Sequence, residues 1–381
     1  MKRNSGLIGI VAILLSIPSV GGGQIVENPA NARAANAGRV VVPEEVLSIS
    51  DEGTRDYYFK VPRDLTIAPD ASLFLIDGSQ ILQFDKAGKF VRNLFKKGQG
   101  PGEMSYATTC LTTEKNVIVH ASSPPKLIFF DYAGKYEKEI PVRALEGPKL
   151  RPKILLALGG KFYIQSADWP RVAGEPDYVE VPHSILALDA ATSESRGLSS
   201  FSTISYVITG EGGSHTGQYP ISWFVAVPFK GKYLALSHTS EYLIKIYDPA
   251  TDKVVREFRR AYERVKPDPP TAIEKIGNIR IGGKYYPRPE QKFQSDVKAI
   301  LTRGDQIWAV TSTRDKSKGV LIDVFDGEGT FMDSFYLKLP EPALRQLRWS
   351  GYCALDGDFL WVAESDDEND IFRIKKYRLG I

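Results

Sequence analysis

A turn opened by aspartate recurs five times along this chain, and that recurrence constrains the fold more than any single motif. Asp85, Asp131, Asp189, Asp248 and Asp326 each end a strand-length apolar run. Gly88, Gly134 and Gly329 follow three of them at the third residue, and Thr192 and Thr251 hold that place in the other two. An aspartate side chain can accept hydrogen bonds from the backbone two residues on, and glycine tolerates positive φ, so Asp-x-x-Gly closes a short hairpin with a bulge. One such turn means little. Five of them mark an internal repeat.

The clearest copy runs from Asp64 to Leu94: DLTIAPD, SLFLID, QILQFD, the turn KAGK, then FVRNL. Each piece has strand length, is rich in β-branched and aromatic residues, and is bounded by turn formers. The same order recurs five more times, the fourth copy being WFVAVPFKGKYLALSHTSEYLIKIYDPATDKVVREF. Six units of about four strands predict an all-β chain, a six-bladed β-propeller of four-stranded antiparallel blades over residues 38–381. The 33 glycines and 24 prolines agree with many turns and few long helices. The last unit, GYCALDGDFLWVAESDDENDIFRIKKYRL, holds only three strands before the chain stops. Val40 to Ser50 (VVVPEEVLSIS) is the natural donor of its missing outer strand, a closure that removes an exposed edge.

The N-terminus carries Lys2 and Arg3, an apolar run from Leu7 to Ile17, then Pro18 and small residues. This is the layout of a secretory signal peptide, placed at 1–23, and the run is short for a membrane span. Cleavage fits among Gly21 to Gly23, or after the Ala30-Asn31-Ala32 or Ala35-Asn36-Ala37 triplets. Residues 24–37 are expected to be a flexible linker. No cysteine follows the apolar run, which excludes a lipid on an N-terminal Cys. Export to a periplasmic or extracellular location is therefore expected. Without Lys2 and Arg3 the chain keeps 47 basic residues against 46 acidic ones, a balance that argues against nucleic acid as a partner. Cys110 and Cys353 stand far apart, four histidines are scattered, and ESDDEND lacks a calcium-loop glycine. No metal site and no cofactor are expected, and a monomer is.

One loop carries a family resemblance. Lys97-Gly98-Gln99-Gly100-Pro101-Gly102-Glu103 follows a DxxG hairpin between the first two units. KGQGPGE in that context resembles the signature of a large bacterial family of exported six-bladed β-propellers related to NHL-repeat proteins. The resemblance implies a fold rather than an activity. Many members also carry a lipoprotein cysteine, which this chain lacks.

Long insertions fall where a propeller would gather them on one face: the KGQGPGE loop, Ser166 to His183, Gly210 to Pro220, and Ala261 to Gln291, in which TAIEKIG has the makings of a helical turn. Several candidate ligand residues sit there. The Gly98, Gln99, Gly100, Gly102 and Glu103 backbone could approach an anion, or the loop is an inter-blade turn whose Glu103 binds its own amides. Arg63, Arg151 and Arg348 align near the start of inner strands one, three and six, with Trp223 and Asp296 in that place in units four and five. Guanidinium groups converging there suit a carboxylate or other anion. Salt bridges between blades are the plainer account. Trp169 and Tyr285 lie in the inserted loops as aromatic contacts. Second strands end in Asp77, His120, Ser166, Ser237, Thr311 and Glu364. Asp77, His120 and Glu364, from contiguous units, could do acid–base chemistry. The leading expectation is thus a binding module presenting its loop-rich face to a small anionic ligand, a glycan or a protein. The alternative is a lactonase-like hydrolase or lyase at the channel mouth, although the Asn-rich calcium site of such enzymes is missing.

Overall fold

The computed structural model describes residues 25–29, 38–147, 149–173, 175–210, 216–269, 279–281, 284–286, 289–347, 351–366 and 371–381, with the side chains at 150, 151, 279, 280 and 366 outside that description. The signal peptide, both alanine triplets, Arg348 and the TAIEKIG stretch lie outside the described residues.

The protein is all-β. Each of the first five sequence units forms an antiparallel sheet in which four strands pair in chain order, the sixth unit supplies three strands of its own, and three of these six sheets carry a fifth strand. In the first sheet the strands are Pro62–Ile67, Leu73–Asp77, Gln80–Phe84 and Phe90–Asn93. The middle two are buried at every position, so apolar residues run through them without alternating, and their buried polar residues are Asp77, Gln80 and Gln83. Both faces of a sheet are covered because the apolar clusters lie between consecutive sheets. Phe74, Ile76, Met104, Val119 and Phe130 join the first to the second; Trp308, Ile322, Leu360 and Val362 join the fifth to the sixth. Leu73, Leu75, Trp361 and Ile374 join the sixth back to the first. The first strands of the sheets also touch in chain order, and Cys353–Asp356 of the sixth returns to Pro62–Ile67 of the first. Leu65 N donates to Gly351 O at 2.9 Å across that junction.

The aspartate turns form as their chemistry requires. Asp85 Oδ1 accepts from the amides of Ala87 and Lys89, both at 2.9 Å, and Gly88, at φ +79°, donates to Asp85 O. The glycine is needed twice over. A Cβ on Gly134 would lie 2.7 Å from Arg92 Cδ, and one on Gly329 would lie 2.6 Å from Phe258, because each turn packs on the outer strand of the preceding sheet. In the two glycine-free copies the left-handed residue is Ser193 (φ +61°) or Asp252 (φ +57°), one place after the aligned Thr192 and Thr251. Those turns are a residue longer, and Asp252 meets the preceding sheet by accepting from Ser199 N at 2.9 Å and Ser199 Oγ at 2.8 Å.

The N-terminal segment closes the sixth sheet. Glu44–Ile49 pairs antiparallel with Ile371–Arg378, setting Leu47 opposite Lys376 and Ile49 opposite Ile374. The donor is shorter than Val40 to Ser50, since Val40–Val41 instead runs parallel to Phe331–Leu337 on the fifth sheet. Part of the expected linker is likewise a strand: Ile25–Asn28 runs parallel to Lys253–Arg260 on the fourth sheet. Two expected loops also become sheet. Asp177–Asp189 and Ser195–Thr209 extend the third sheet, and Thr216–Pro220 adds a fifth strand to it. A short hairpin, Ile279–Ile281 with Lys284–Tyr286, stands within the longest insertion. A six-residue helix at Glu341–Gln346 precedes the sixth sheet, where Glu341 and Pro342 in the first turn suit a helix start.

Replacing Gly329 by Ala is expected to destabilise the protein by about 2 kcal/mol or more, combining left-handed strain of about 1–2 kcal/mol with the Phe258 overlap. Gly159→Ala, also at positive φ but with open space around it, should show the strain alone. Thermal melts of the two variants check the difference.

Candidate functional site

Connections from second to third strands, and from one sheet to the next, share a face, and the insertions lie there. The second-strand ends that reach it, Asp77, His120, Ser166, Ser237, Thr311 and Glu364, are all buried. Their polar atoms go largely to local structure. Asp77 accepts from the amides of Val61 at 2.6 Å and Lys60 at 2.7 Å, folding the incoming strand over itself. Burial raises its pKa in spite of those bonds. Tyr377 donates its hydroxyl to Glu364 Oε1, and Lys375 lies 3.4 Å from Oε2. His120 Nδ1 meets Thr108 Oγ1 at 2.5 Å, and burial lowers its pKa to about 4. Asp77 and Glu364 are occupied by their own neighbours, whereas the buried His120 Nε2 has no protein partner.

Arg63 is exposed, donates to Tyr106 Oη at 2.6 Å and stacks over that ring. The backbone of Arg151 lies in the strand Lys149–Leu158, with its side chain outside the described residues, as is Arg348. The KGQGPGE loop curls around its own acid. Glu103 Oε2 accepts from Gly100 N at 2.9 Å, and a Cβ on Gly98 would collide with that carboxylate. Gly102 N donates to Glu139 at 3.2 Å, and Lys126, nearly buried, bonds Glu139 at 2.9 Å. The loop's glycines therefore make room for an internal anion, the account in which Glu103 serves the loop itself. Trp169 and Tyr285 are 41% and 58% exposed. Tyr178, Tyr206 and Tyr219 sit opposite one another on three adjacent strands, and Tyr178 Oη reaches Glu290 O at 3.0 Å.

A cavity of about 530 Å³ opens on the same face, between the third, fourth and fifth sheets. Its wall is built from the loop His238–Leu243, the end of the fourth sheet's outer strand with Arg260, Tyr262 and Arg264, and Asp296 at the start of the fifth sheet. Arg264 is fixed by Asp296 (Nε to Oδ1, 3.0 Å) and by Ser240 O (2.9 Å). Arg260 bonds Asp323, a fully buried carboxylate that also accepts from Tyr242 Oη at 2.9 Å. Burial raises the pKa of both Asp296 and Asp323, while their arginines pull the other way. His238 Nδ1 meets Ser202 O at 2.9 Å, and burial lowers its pKa. Two buried nitrogens on this wall, His238 Nε2 and Arg260 Nε, have no protein partner.

Of these residues, sequence reasoning singled out Asp296 and, as part of an insertion, the segment holding Tyr262 and Arg264. The available signal was FRRAYERV, where basic and aromatic residues continue past the last strand into the longest insertion. Asp64 was also passed over. It accepts from Thr109 Oγ1 at 2.7 Å and Cys110 N at 2.9 Å, tying the first strands of two sheets, with Lys153 at 4.0 Å. Among the described residues no group of three His, Cys, Asp or Glu could hold a metal ion.

Fold and site together define an all-β protein of consecutive antiparallel sheets with one elaborated face. No family model matches the chain, and no curated protein matches it in sequence. Solved structures do match in fold. A member of the DUF4221 family from Bacteroides vulgatus has a TM-score of 0.52 at 9% identity, over 89% of this chain and 98% of that one. A candidate exported protein of Bacteroides fragilis has 0.47 at 12% identity, over 94% and 100%. A gluconolactonase from Xanthomonas campestris has 0.43 at 11% identity, over 93% and 98%. No helix among the described residues is long and apolar enough to cross a membrane.

The buried imidazoles make a pH prediction. His120 and His183 are both held near 4 by burial, below the value of about 6.5 in an unfolded chain. Between those values the unfolded state binds more protons, so their contribution is complete above pH ~6.5 and lost as pH falls toward ~4. The raised carboxyls of Asp64, Asp77 and Asp323 act in the opposite sense at the low end of that window. Melting midpoints should fall as pH drops from ~6.5 to ~4, and the double variant His120→Gln/His183→Gln should flatten that slope.

Proposed function

We propose that this protein is an exported six-bladed β-propeller of the NHL-related kind, periplasmic or extracellular, acting as a binding module for a small, hydroxyl-rich ligand such as a short glycan. Six consecutive sheets, an apolar cluster at each junction, the KGQGPGE loop and the leader-like N-terminus support the architecture and the location. The observation that carries the ligand class is the cavity wall. Its volume of about 530 Å³ falls in the range of small-molecule sites. Arg260 and Arg264 already face Asp323 and Asp296, so the wall offers hydrogen bonds more than net positive charge. A neutral or singly charged ligand suits it better than a polyanion. Hydroxyl groups would satisfy His238 Nε2 and Arg260 Nε, and the Tyr242 and Tyr262 rings supply apolar faces.

Calorimetric titration of the protein with neutral mono- and disaccharides and with uronic acids tests this reading. Binding is expected, weakened about tenfold or more by Arg264→Ala or His238→Ala, which is ~1.4 kcal/mol or more, and unchanged by Arg63→Ala. Absence of binding across the panel, or affinity indifferent to both cavity variants, would overturn it. In the lactonase-like alternative Asp77 and Glu364 already hold local partners, and the unpartnered His120 Nε2 is the group left to act. Lactone turnover abolished by His120→Ala would reinstate it.

A further inference from the structure

The N-terminal segment reaches beyond the sixth sheet that it completes. Going along the chain, Ile25–Asn28 lines the outer edge of the fourth sheet, Val40–Val41 that of the fifth, and Glu44–Ile49 that of the sixth. Asn28 is the most committed residue in the first of these contacts. It is buried, and its amide nitrogen lies 3.1 Å from Arg259 O on the fourth sheet and 2.9 Å from Gly329 O on the fifth. Its Oδ1 accepts from Phe331 N at 2.8 Å. One side chain therefore binds the outer strand of one sheet to the aspartate turn of the next. Nearby, Glu27 receives the Arg259 guanidinium at 2.7 and 2.9 Å. That pair is solvent-exposed and positions the strand more than it holds it. Val41 O and Arg39 O continue the contact by accepting from Lys338 N and Tyr336 N.

We infer that export processing cuts this chain on the N-terminal side of Ile25, and that the strands Ile25–Asn28, Val40–Val41 and Glu44–Ile49 persist as a belt along the outer edges of three consecutive sheets. The sequence allows three cuts. Those after Ala32 or Ala37 would start the mature chain at Arg33 or Gly38 and discard Ile25–Asn28. Loss of Asn28 would leave the Phe331 amide and the Gly329 carbonyl without the partner they have, and would bare the edge of Lys253–Arg260. Only the cut among the small residues Gly21 to Gly23, directly after the apolar run, keeps the belt whole. The step is hydrolysis by a leader peptidase: water breaks one peptide bond, leaving a carboxylate on the released leader and a new amine on the mature chain.

N-terminal sequencing and intact mass of the exported protein test the position of the cut. The first residue is expected between Gly22 and Gln24. A mature chain beginning at Arg33 or Gly38, or one still beginning at Met1, would overturn the inference. The belt is tested separately on leaderless protein. A chain starting at Gln24 should melt several degrees above one starting at Gly38, with Asn28→Ala in the longer chain falling between them. A Gly38 chain that fails to fold agrees with the belt. Equal midpoints for the Gln24 chain and its Asn28→Ala variant would refute it. Neither measurement depends on what the cavity binds.

Discussion

The apolar seam between neighbouring sheets is the interaction on which everything else rests. Strands such as Leu73–Asp77 are buried on both faces, so no sheet can be covered by water on either side. The first sheet leans on Met104 and Phe130 of the second side and on Trp361 and Ile374 of the sixth. Burial of side chains this large contributes ~1.5–3 kcal/mol each. A chain built this way has no acceptable terminal sheet, because an unclosed series would expose two apolar faces. The return of the sixth sheet to the first, and its completion by Glu44–Ile49, follow from that requirement.

The seams also explain where polarity is tolerated. Carboxylates inside the assembly bridge sheets: Asp64 binds Thr109 and Cys110 of the next sheet, and Asp323 binds Tyr242 and Arg260 of the preceding one. These buried groups are satisfied across the seam, which fixes the relative placement of adjacent sheets. At the strand ends the same need for partners draws Asp77 onto the Val61 amide and Glu364 onto Tyr377. The cavity lies beside the loop His238–Leu243 of the fourth sheet, with the bridging arginines Arg260 and Arg264 in its wall.

Much of this was legible in the sequence for local reasons. The aspartate turns, the strand-length apolar runs and the incomplete last unit are short-range patterns with a direct backbone cause, and each has its counterpart in the sheets. Ile25–Asn28 was not legible, because four residues in parallel pairing carry neither a turn nor a useful period. Tyr178 lies in a stretch that reads as an inserted loop because Pro170, Gly174 and Pro176 break the run, yet it extends the third sheet opposite Tyr206. The cavity depends on pairs such as Arg260 with Asp323, 63 residues apart, which no local pattern reveals. The KGQGPGE loop is legible in shape, but the bond from Gly100 N to Glu103 Oε2 inside it is not.

The pairing of Glu44 with Arg378 spans 334 residues, nearly the length of the chain. Closing a loop of that size costs about 3 kcal/mol more entropy than closing one of ten residues. The sheets themselves are local hairpins and can form as soon as their own residues are available. Closure cannot, since it needs both ends of the polypeptide at once. Folding of this protein is therefore quick within units and slow at the last step. Until that step the sixth sheet keeps an open edge, and with it the opportunity to accept a strand from another chain.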